Sequence, residues 1–204
     1  MITFGFGTKT SVLPSSSIII RPQQSHGSRV HIVTQENSSI HNPPDTDGLV
    51  TSVAGVALTV ATADCVPIIY HDPHAGIIGI SHSGWKGLHE NIIENMIVAM
   101  EALGGSAACI DAIVGPAVGA CCYPIYGERK ELFYKKFGSE VFDEYPKHTG
   151  LNLAKCAYLT LKHQGILESN IHHPVYCTSC QKDLFWSYRR DGTGFPHMVH
   201  FIKI

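Results

Sequence analysis

Short runs of β-branched and other apolar residues, separated by turn-forming residues, recur along this chain. Runs of about four to eight such residues are typical of buried strands. They predict strands at Val30–Val33, Val56–Ala61, Val66–Tyr70, Gly76–Ser81, Ala112–Val114, Val175–Cys177 and Met198–Ile202. The chain therefore contains enough strand-forming sequence for a central sheet.

Three longer segments place apolar residues at helical spacing instead. Leu88–Leu103, Glu128–Phe137 and Leu151–Gln164 each carry this pattern, and each is followed directly by glycine, a common helix terminator. Helices interspersed among strands, with no internal repeat or linker, predict an α+β fold. We expect a mixed β-sheet core covered by helices, in a single domain over residues 1–204.

Composition and charge narrow the class of protein. Of the 204 residues, 44% are hydrophobic and 16% are charged, a balance typical of a globular protein with a sizeable core. The formal net charge is −2 and there is no run of Lys or Arg, so neither nucleic acid nor a membrane is expected as a partner. Seven cysteines without a recognisable signal peptide favour reduced thiols and a cytoplasmic location. The oligomeric state is left open.

Three residues in turns next to predicted strands are candidate metal ligands. Cys65 falls between two apolar strands, His82 follows the next strand, and His26 precedes another β-rich segment. If those strands are neighbours, the side chains emerge at one edge of the sheet. Two imidazoles and a thiolate suit a borderline-soft cation such as Zn²⁺, and three protein ligands leave a fourth position open, as in catalytic sites. The alternative is a small buried thiol and a histidine in a capped turn.

Six ordered segments strengthen the metal hypothesis. They are Gln24–Gly27, Asp45–Thr51, Thr62–Ile68, His82–Leu88, Gly115–Gly119 and Ser187–Asp191. From Pro22 to its C-terminus the chain resembles the YfiH family, also described as laccase-domain or multicopper polyphenol oxidoreductase proteins. The resemblance implies that family's layered sandwich of sheet and helices. It also implies that His26, Cys65 and His82 bind zinc, with copper as a possible substitute.

The resemblance implies an activity as well. Members of the family are assigned as purine nucleoside phosphorylases with adenosine deaminase activity alongside. A zinc-dependent enzyme that splits adenosine, inosine, guanosine or methylthioadenosine with phosphate is therefore expected, and a purine nucleoside and phosphate are its expected partners. Zn²⁺ with an open position polarises a substrate atom or generates hydroxide near neutral pH. The candidate catalytic residues are Cys65, His82, His26 and Asp64.

Substrate-binding residues are predicted from charge and hydrogen-bonding capacity. Arg189 and Arg190 are candidates for phosphate because a guanidinium matches phosphate oxygens bidentately, and Lys86 offers a point charge. The alternative for the two arginines is a solvated turn with local ion pairs. Asp64 either orients a metal ligand through a hydrogen bond or caps a turn. Gln24 is a candidate for hydrogen bonding to the nucleobase.

The N-terminal region departs from the family pattern. Lys9 stands in Thr8-Lys9-Thr10 where arginine is typical, and only 15 residues, Thr10–Gln24, cover an interval that is usually longer. We expect this shortened N-terminal region to leave the metal ligands intact but to open the pocket and weaken activity.

Four further cysteines raise a second metal hypothesis. Cys177 and Cys180 form a Cys-x2-Cys pair, and Cys121 and Cys122 are adjacent, so the four could make a thiolate cluster. An adjacent pair is poor geometry for two tetrahedral ligands, and the resemblance implies no metal here. Thiols without a metal are therefore the expectation.

Two other enzyme classes remain open. The family's older description suggests a copper-dependent polyphenol oxidase, which is disfavoured because the chain contains no His-x-His pair of the kind that builds a trinuclear copper cluster. The other is a hydrolase that edits peptidoglycan precursors, with Cys65 as nucleophile and His82 or His26 as base. Metal content separates these, since a metal-bound thiolate is a poor free nucleophile.

Overall fold

The computed structural model describes residues 2–11, 18–173 and 175–204. Within these ranges the strands are β1 Thr3–Gly5, β2 Ile18–Ile20, β3 Val30–Val33, β4 Gly48–Thr51, β5 Val56–Thr62, β6 Val66–Asp72, β7 Ile77–Ser83, β8 Asp111–Val114, β9 Phe142–Tyr145, β10 His148–Leu151, β11 Ile171–His172 and β12 Met198–Lys203. The α-helices are α1 Trp85–His89, α2 Ile92–Ala102, α3 Gly127–Phe137, α4 Leu153–His163 and α5 Tyr188–Asp191.

The strands form three sheets. A six-stranded sheet has the order β11-β8-β6-β7-β4-β3, a four-stranded sheet has the order β1-β12-β5-β2, and β9 pairs with β10. The six-stranded sheet is mixed, because β3–β4 and β8–β11 are parallel while its other pairs are antiparallel. Mixed sheets together with helices confirm the predicted α+β class. No helix within the described residues has the length and apolarity needed to cross a bilayer.

The six-stranded sheet is buried on both of its faces. Ile68 and Tyr70 on β6 belong to a core shared with α2 and α4. Ile69, between them, points to the other face and packs in a second core with Leu58 of β5 and Ile80 of β7. Alternate side chains of one strand thus serve two layers, which explains why the central strands read as unbroken apolar runs.

The predicted helix Leu88–Leu103 is wrong, because the structure has two helices there. Asn91 has a φ of 72° in the left-handed region, and it separates α1 from α2. Asparagine tolerates this conformation better than most residues. Lys136 Nζ donates to the carbonyl oxygens of Leu88 and His89 and to Asn91 Oδ1, at 2.8, 3.2 and 2.7 Å. The carbonyl groups left without helical hydrogen bonds at the break therefore accept hydrogen bonds from Lys136.

The predicted strand Val175–Cys177 is also wrong. Val175 is 92% exposed, and Cys177 makes only an isolated bridge, to Ala117. The edge of the six-stranded sheet beside β8 is taken by β11 instead. An apolar run without a sheet edge to pair with does not become a strand.

Candidate functional site

The three candidate metal ligands meet at one edge of the six-stranded sheet. Because β6 and β7 are antiparallel, Cys65, just before β6, lies beside His82, near the end of β7. His26 comes from the loop before β3, and its ring is 4.7 Å from the His82 ring, edge to face at 85°. The ligand atoms of these three residues, called the ligand set below, all lie within 4.8 Å of one another.

A buried carboxylate that the sequence did not single out holds two members of the ligand set. Asp47 Oδ1 accepts hydrogen bonds from His82 Nδ1 at 2.7 Å and from the backbone N–H of His26 at 3.1 Å. Its Oδ2 accepts the backbone N–H groups of Ser25 at 3.1 Å and Gly27 at 2.8 Å. With Nδ1 committed to Asp47, the ring presents Nε2 as its metal-binding atom.

The electrostatics of the ligand set favour a thiolate. Burial raises the pKa of Cys65, but the charge of His82 and hydrogen bonds from His26 and His82 lower that pKa overall, to about 6. Burial lowers the pKa of His82, whereas the Cys65 thiolate and Asp47 raise it overall, to about 9. A proton on Nε2 of His82 occupies the place a cation would take, so cation binding and protonation compete there.

The space around the ligand set also fits a metal ion. A Cβ added at Gly84 would lie 3.0 Å from Cys65 Sγ and 3.4 Å from His26 Cδ2. Glycine at this position therefore leaves the thiolate and the imidazole room to face a common centre. One thiolate and two imidazole nitrogens suit Zn²⁺, and Cu²⁺ also binds such donors.

Two site residues have backbone conformations that are uncommon outside glycine. His26 has a φ of 61° and Asp64 a φ of 90°. The Asp64 carboxylate accepts hydrogen bonds from Thr178 Oγ1 at 2.5 Å and the Arg189 backbone N–H at 2.6 Å, and its carbonyl accepts from Val118 N–H at 3.0 Å. These contacts tie Asp64 to distant segments of the chain, a role that neither prediction named, and the orientation of a metal ligand by Asp64 stays a prediction.

A cavity of about 740 Å³ opens beside the ligand set. Aromatic rings and guanidinium groups make up much of its wall. The Arg129 guanidinium lies 4.1 Å from the Trp85 ring centroid, and that of Arg189 lies 4.9 Å from the ring of Tyr123. Arg21 lines the cavity as well. Arg129 sits on the exposed side of a predicted surface helix, so no sequence signal marked it.

The two predicted phosphate-binding arginines have different environments. Arg189 lines the cavity, as a substrate-binding residue must. Arg190 Nη1 donates to the carbonyl oxygens of Thr178 and Ser179, both at 3.0 Å, and its Nη2 donates to that of Phe185 at 2.9 Å. Its remaining donors face the Asp191 carboxylate. These contacts give Arg190 a structural role and leave Arg189 as the better placed of the two for phosphate, and the assignment of either residue to phosphate stays a prediction.

Lys86 and Gln24 are also used differently from the prediction. Lys86 is half-exposed, pairs with Glu90 at 3.7 Å and is not among the residues that line the cavity. Gln24 does line the cavity, but its Oε1 accepts the Ala61 N–H and its Nε2 donates to the Ala61 carbonyl, both at 2.8 Å. This paired contact fixes the loop to β5 and occupies most of the amide's hydrogen-bonding capacity.

The N-terminal interval is only partly described. Lys9 places its Nζ 4.0 Å from the centroid of the Trp186 ring, a cation–π contact. Residues 12–17 of the Thr10–Gln24 interval lie outside the described residues. The effect of the shortened region on activity therefore stays a prediction.

The chain is similar in sequence to several known proteins. The family model described as "Multi-copper polyphenol oxidoreductase laccase" matches residues 8–204. Purine nucleoside phosphorylase YlmD of Geobacillus stearothermophilus is 32% identical over 88% of this chain and 70% of its own length. Adenosine deaminase RL5, from an unknown prokaryotic organism, is 30% identical over 85% of this chain and 70% of its own length.

A mammalian relative and a solved structure extend the comparison. Mouse purine nucleoside phosphorylase LACC1 is 32% identical over 90% of this chain, which spans only 43% of the mouse protein. The chain thus covers less than half the length of this relative. The crystal structure of the Bacillus licheniformis hypothetical protein YfiH superposes with a TM-score of 0.89 at 27% identity, over 100% of this chain and 92% of that one.

Proposed function

Because the chain belongs to the multi-copper polyphenol oxidoreductase laccase family, we propose that it is a zinc-dependent purine nucleoside phosphorylase. Its substrates in this proposal are a purine nucleoside, such as adenosine, inosine, guanosine or methylthioadenosine, and phosphate. The observation that carries the proposal is the position of the ligand set in the wall of a cavity that is also lined by aromatic rings and guanidinium groups. Two relatives named purine nucleoside phosphorylase support it.

Two kinds of side chain in the cavity wall would recognise the two substrates, aromatic rings for the nucleoside and arginines for phosphate. Trp85, Tyr123 and Tyr188 offer aromatic surface against which a purine can pack. Arg129 and Arg189 offer planar guanidinium groups that bind phosphate oxygens through paired hydrogen bonds. Both arginines are held against aromatic rings, so little side-chain entropy is lost when phosphate binds.

His26, Cys65 and His82 would hold the zinc ion. When bound, zinc with an open fourth position supplies Lewis-acid polarisation of a substrate heteroatom or lowers the pKa of a water molecule. Asp47 accepts the proton on Nδ1 of His82, which orients the imidazole so that Nε2 is the atom left to bind the ion. The buried position of His82 and Asp47 excludes water from that side of the site.

A phosphate titration tests the proposal. We expect Arg189→Ala to raise the apparent KM for phosphate about tenfold to a hundredfold, because hydrogen bonds to a charged group contribute roughly 1.5–3 kcal/mol. The assay follows adenine and ribose-1-phosphate released from adenosine at increasing phosphate. Lys135→Ala removes the same charge from the exposed surface of α3 and serves as the matched control. Equal phosphate dependence in all three proteins would contradict the role of Arg189.

A deaminase is the second candidate at the same site, since one relative is named adenosine deaminase. The same incubation distinguishes the two activities. Inosine formed without phosphate indicates deamination, whereas adenine formed only with phosphate indicates phosphorolysis. Cys65→Ala is expected to abolish both activities together with zinc binding at the ligand set.

A cysteine hydrolase is the remaining alternative, and the lowered pKa of Cys65 is compatible with it. That chemistry needs a free thiolate, so its activity should persist or rise when zinc is removed. Loss of purine turnover on chelation and its return with zinc would exclude this alternative. A copper oxidase would instead consume oxygen with a phenol after copper loading. The predicted cytoplasmic location remains part of the proposal.

A further inference from the structure

Four cysteines outside the ligand set, from two distant parts of the chain, lie close together in the structure. The Sγ atoms of Cys121, Cys122, Cys177 and Cys180 all lie within 4.8 Å of one another. We propose that these four residues, called the cysteine cluster below, bind a second zinc ion that is structural rather than catalytic.

The separations within the cluster match a tetrahedral zinc site. Cys121 Sγ lies 3.8 Å from Cys122 Sγ, 3.8 Å from Cys177 Sγ and 3.7 Å from Cys180 Sγ. Cys122 Sγ and Cys180 Sγ are 3.5 Å apart. A tetrahedron with zinc–sulfur bonds of about 2.3 Å has edges of about 3.8 Å, whereas a disulfide joins its sulfurs at about 2.05 Å. The spacing is that of four ligands around one ion.

The backbone explains how two adjacent cysteines face the same centre. Ala120–Cys122 is a turn of 3-10 helix, closed by a hydrogen bond of 2.9 Å from the Cys122 N–H to the Gly119 carbonyl. The Sγ atoms of Cys121 and Cys122 nevertheless lie 3.8 Å apart, so adjacency does not keep the two side chains from facing one centre. On the other segment, a hydrogen bond of 3.0 Å from the Gln181 N–H to the Cys177 carbonyl closes a turn that contains both Cys177 and Cys180.

Gly119 adds a second, independent feature of a built site. Its N–H donates to Cys177 Sγ at 3.2 Å, a contact that stabilises a thiolate. A Cβ at this position would lie 3.2 Å from Cys177 Cβ and 3.3 Å from both Cys177 Sγ and Cys121 Sγ. The φ of Gly119 is −75°, so glycine is needed here for space and not for an unusual backbone conformation.

The cluster joins two chain segments that build the cavity. One segment, residues 117–123, contributes Val118 and Tyr123, and the other, residues 177–191, contributes Tyr188 and Arg189. Apart from the cluster, these segments are linked by the hydrogen bond of 3.0 Å from the Thr178 N–H to the Ala117 carbonyl and by the Arg189 guanidinium on the Tyr123 ring. Neither segment contains a regular strand in the described residues. A closed four-thiolate zinc site is of the structural kind and would fix the two segments to each other.

Zinc content per chain tests the proposal without reference to activity. We expect two zinc ions in the wild type, one in Cys65→Ala and one in Cys180→Ser. Cys109→Ser is the matched control, because Cys109 is a half-buried thiol outside both groups, and it should retain two. A wild type with one zinc, lost entirely in Cys65→Ala, would overturn the proposal.

X-ray absorption at the zinc edge provides a readout that a folding defect in Cys180→Ser cannot imitate. In Cys65→Ala the remaining zinc should have a shell of four sulfurs at about 2.3 Å. A shell that includes nitrogen or oxygen would overturn the assignment, as would disulfides among the four cysteines in protein purified without oxygen. If Cys65→Ala does not fold, His82→Ala replaces it as the variant without zinc at the ligand set, and the same zinc count and sulfur shell are expected.

Discussion

Asp47→Asn is the perturbation that most directly tests how this site is built. The carboxylate is fully buried, and it accepts hydrogen bonds from His82 Nδ1, from the backbone N–H groups of Ser25, His26 and Gly27, and from Ser25 Oγ. Asparagine has nearly the same shape but only one acceptor oxygen. Whichever way its amide is turned, the NH₂ group faces N–H donors that previously had a partner.

The size of the effect follows from those contacts. One orientation of the amide leaves the donors of His82 and His26 unpaired, and the other leaves those of Ser25 and Gly27 unpaired. Each unpaired buried donor costs about 1–3 kcal/mol, so the free energy of unfolding should fall by about 2–6 kcal/mol. Hydrogen-bonding partners of metal ligands typically contribute about 10- to 100-fold to metal affinity. We expect zinc affinity at the ligand set to fall by that factor.

A chelator competition titration measures this change, and Asp72→Asn provides the control. Asp72 is also buried, and its carboxylate accepts three backbone N–H groups, from His74, Ala75 and Ser106, away from the ligand set. Both variants should lose stability, but only Asp47→Asn should lose zinc affinity. The titration is run in a Cys180→Ser background, so that a single site reports. Equal zinc affinity in the two variants would refute the role assigned to Asp47.

Three further predictions concern the space around Cys65, the buried imidazole of His200 and the stability that bound zinc provides. Gly84→Ala places a Cβ 3.0 Å from Cys65 Sγ, so zinc affinity in the same titration should fall by about tenfold or more. Gly104→Ala is the control, because a Cβ there meets nothing within 4 Å, and it should leave zinc affinity unchanged. Burial lowers the pKa of His200 to about 3, so the folded state keeps it neutral while the unfolded state binds a proton below about pH 6.5. Stability should therefore fall with pH below that value, and denaturant unfolding at pH 7 and pH 5 should differ by about 2 kcal/mol less in His200→Gln than in the wild type. Removing zinc should lower the midpoint of thermal unfolding. A ligand present at 100 times its dissociation constant stabilises the folded state by about 2.7 kcal/mol. An unchanged midpoint would contradict a bound metal.

The central strands were predictable because they are buried on both faces. Val56–Ala61, Val66–Tyr70 and Gly76–Ser81 each fall within a residue or two of β5, β6 and β7. The same property makes the ligand set visible in sequence, since Cys65 and His82 are the polar residues at which these apolar runs end. Antiparallel pairing of β6 with β7 then brings the two side chains together.

Roles that depend on distant hydrogen bonds were not predictable. Nothing in the local sequence distinguishes Arg190, enclosed by backbone carbonyls, from Arg189, which lines the cavity. Asp47 lies in a segment that matched the family, yet its function depends on a loop 20 to 22 residues earlier and on His82, 35 residues later. The helix break at Asn91 likewise depends on a lysine from another helix.

The ligand set and the cysteine cluster belong to two parts of the site that are supported in different ways. The ligand set rests on strands with two buried faces, so its geometry needs no support beyond the sheet and Asp47. The cavity wall that carries Arg189 lies outside the sheets, on the short helix α5, and is anchored by the Asp64 carboxylate and, as proposed above, by the cysteine cluster. Loss of the cluster should therefore leave zinc affinity at the ligand set unchanged while raising the apparent KM for phosphate, an effect that rests on the proposed function. Cys180→Ser measured beside Cys109→Ser decides this, and a change in both quantities together would mean that the wall and the ligand set are not separate structures.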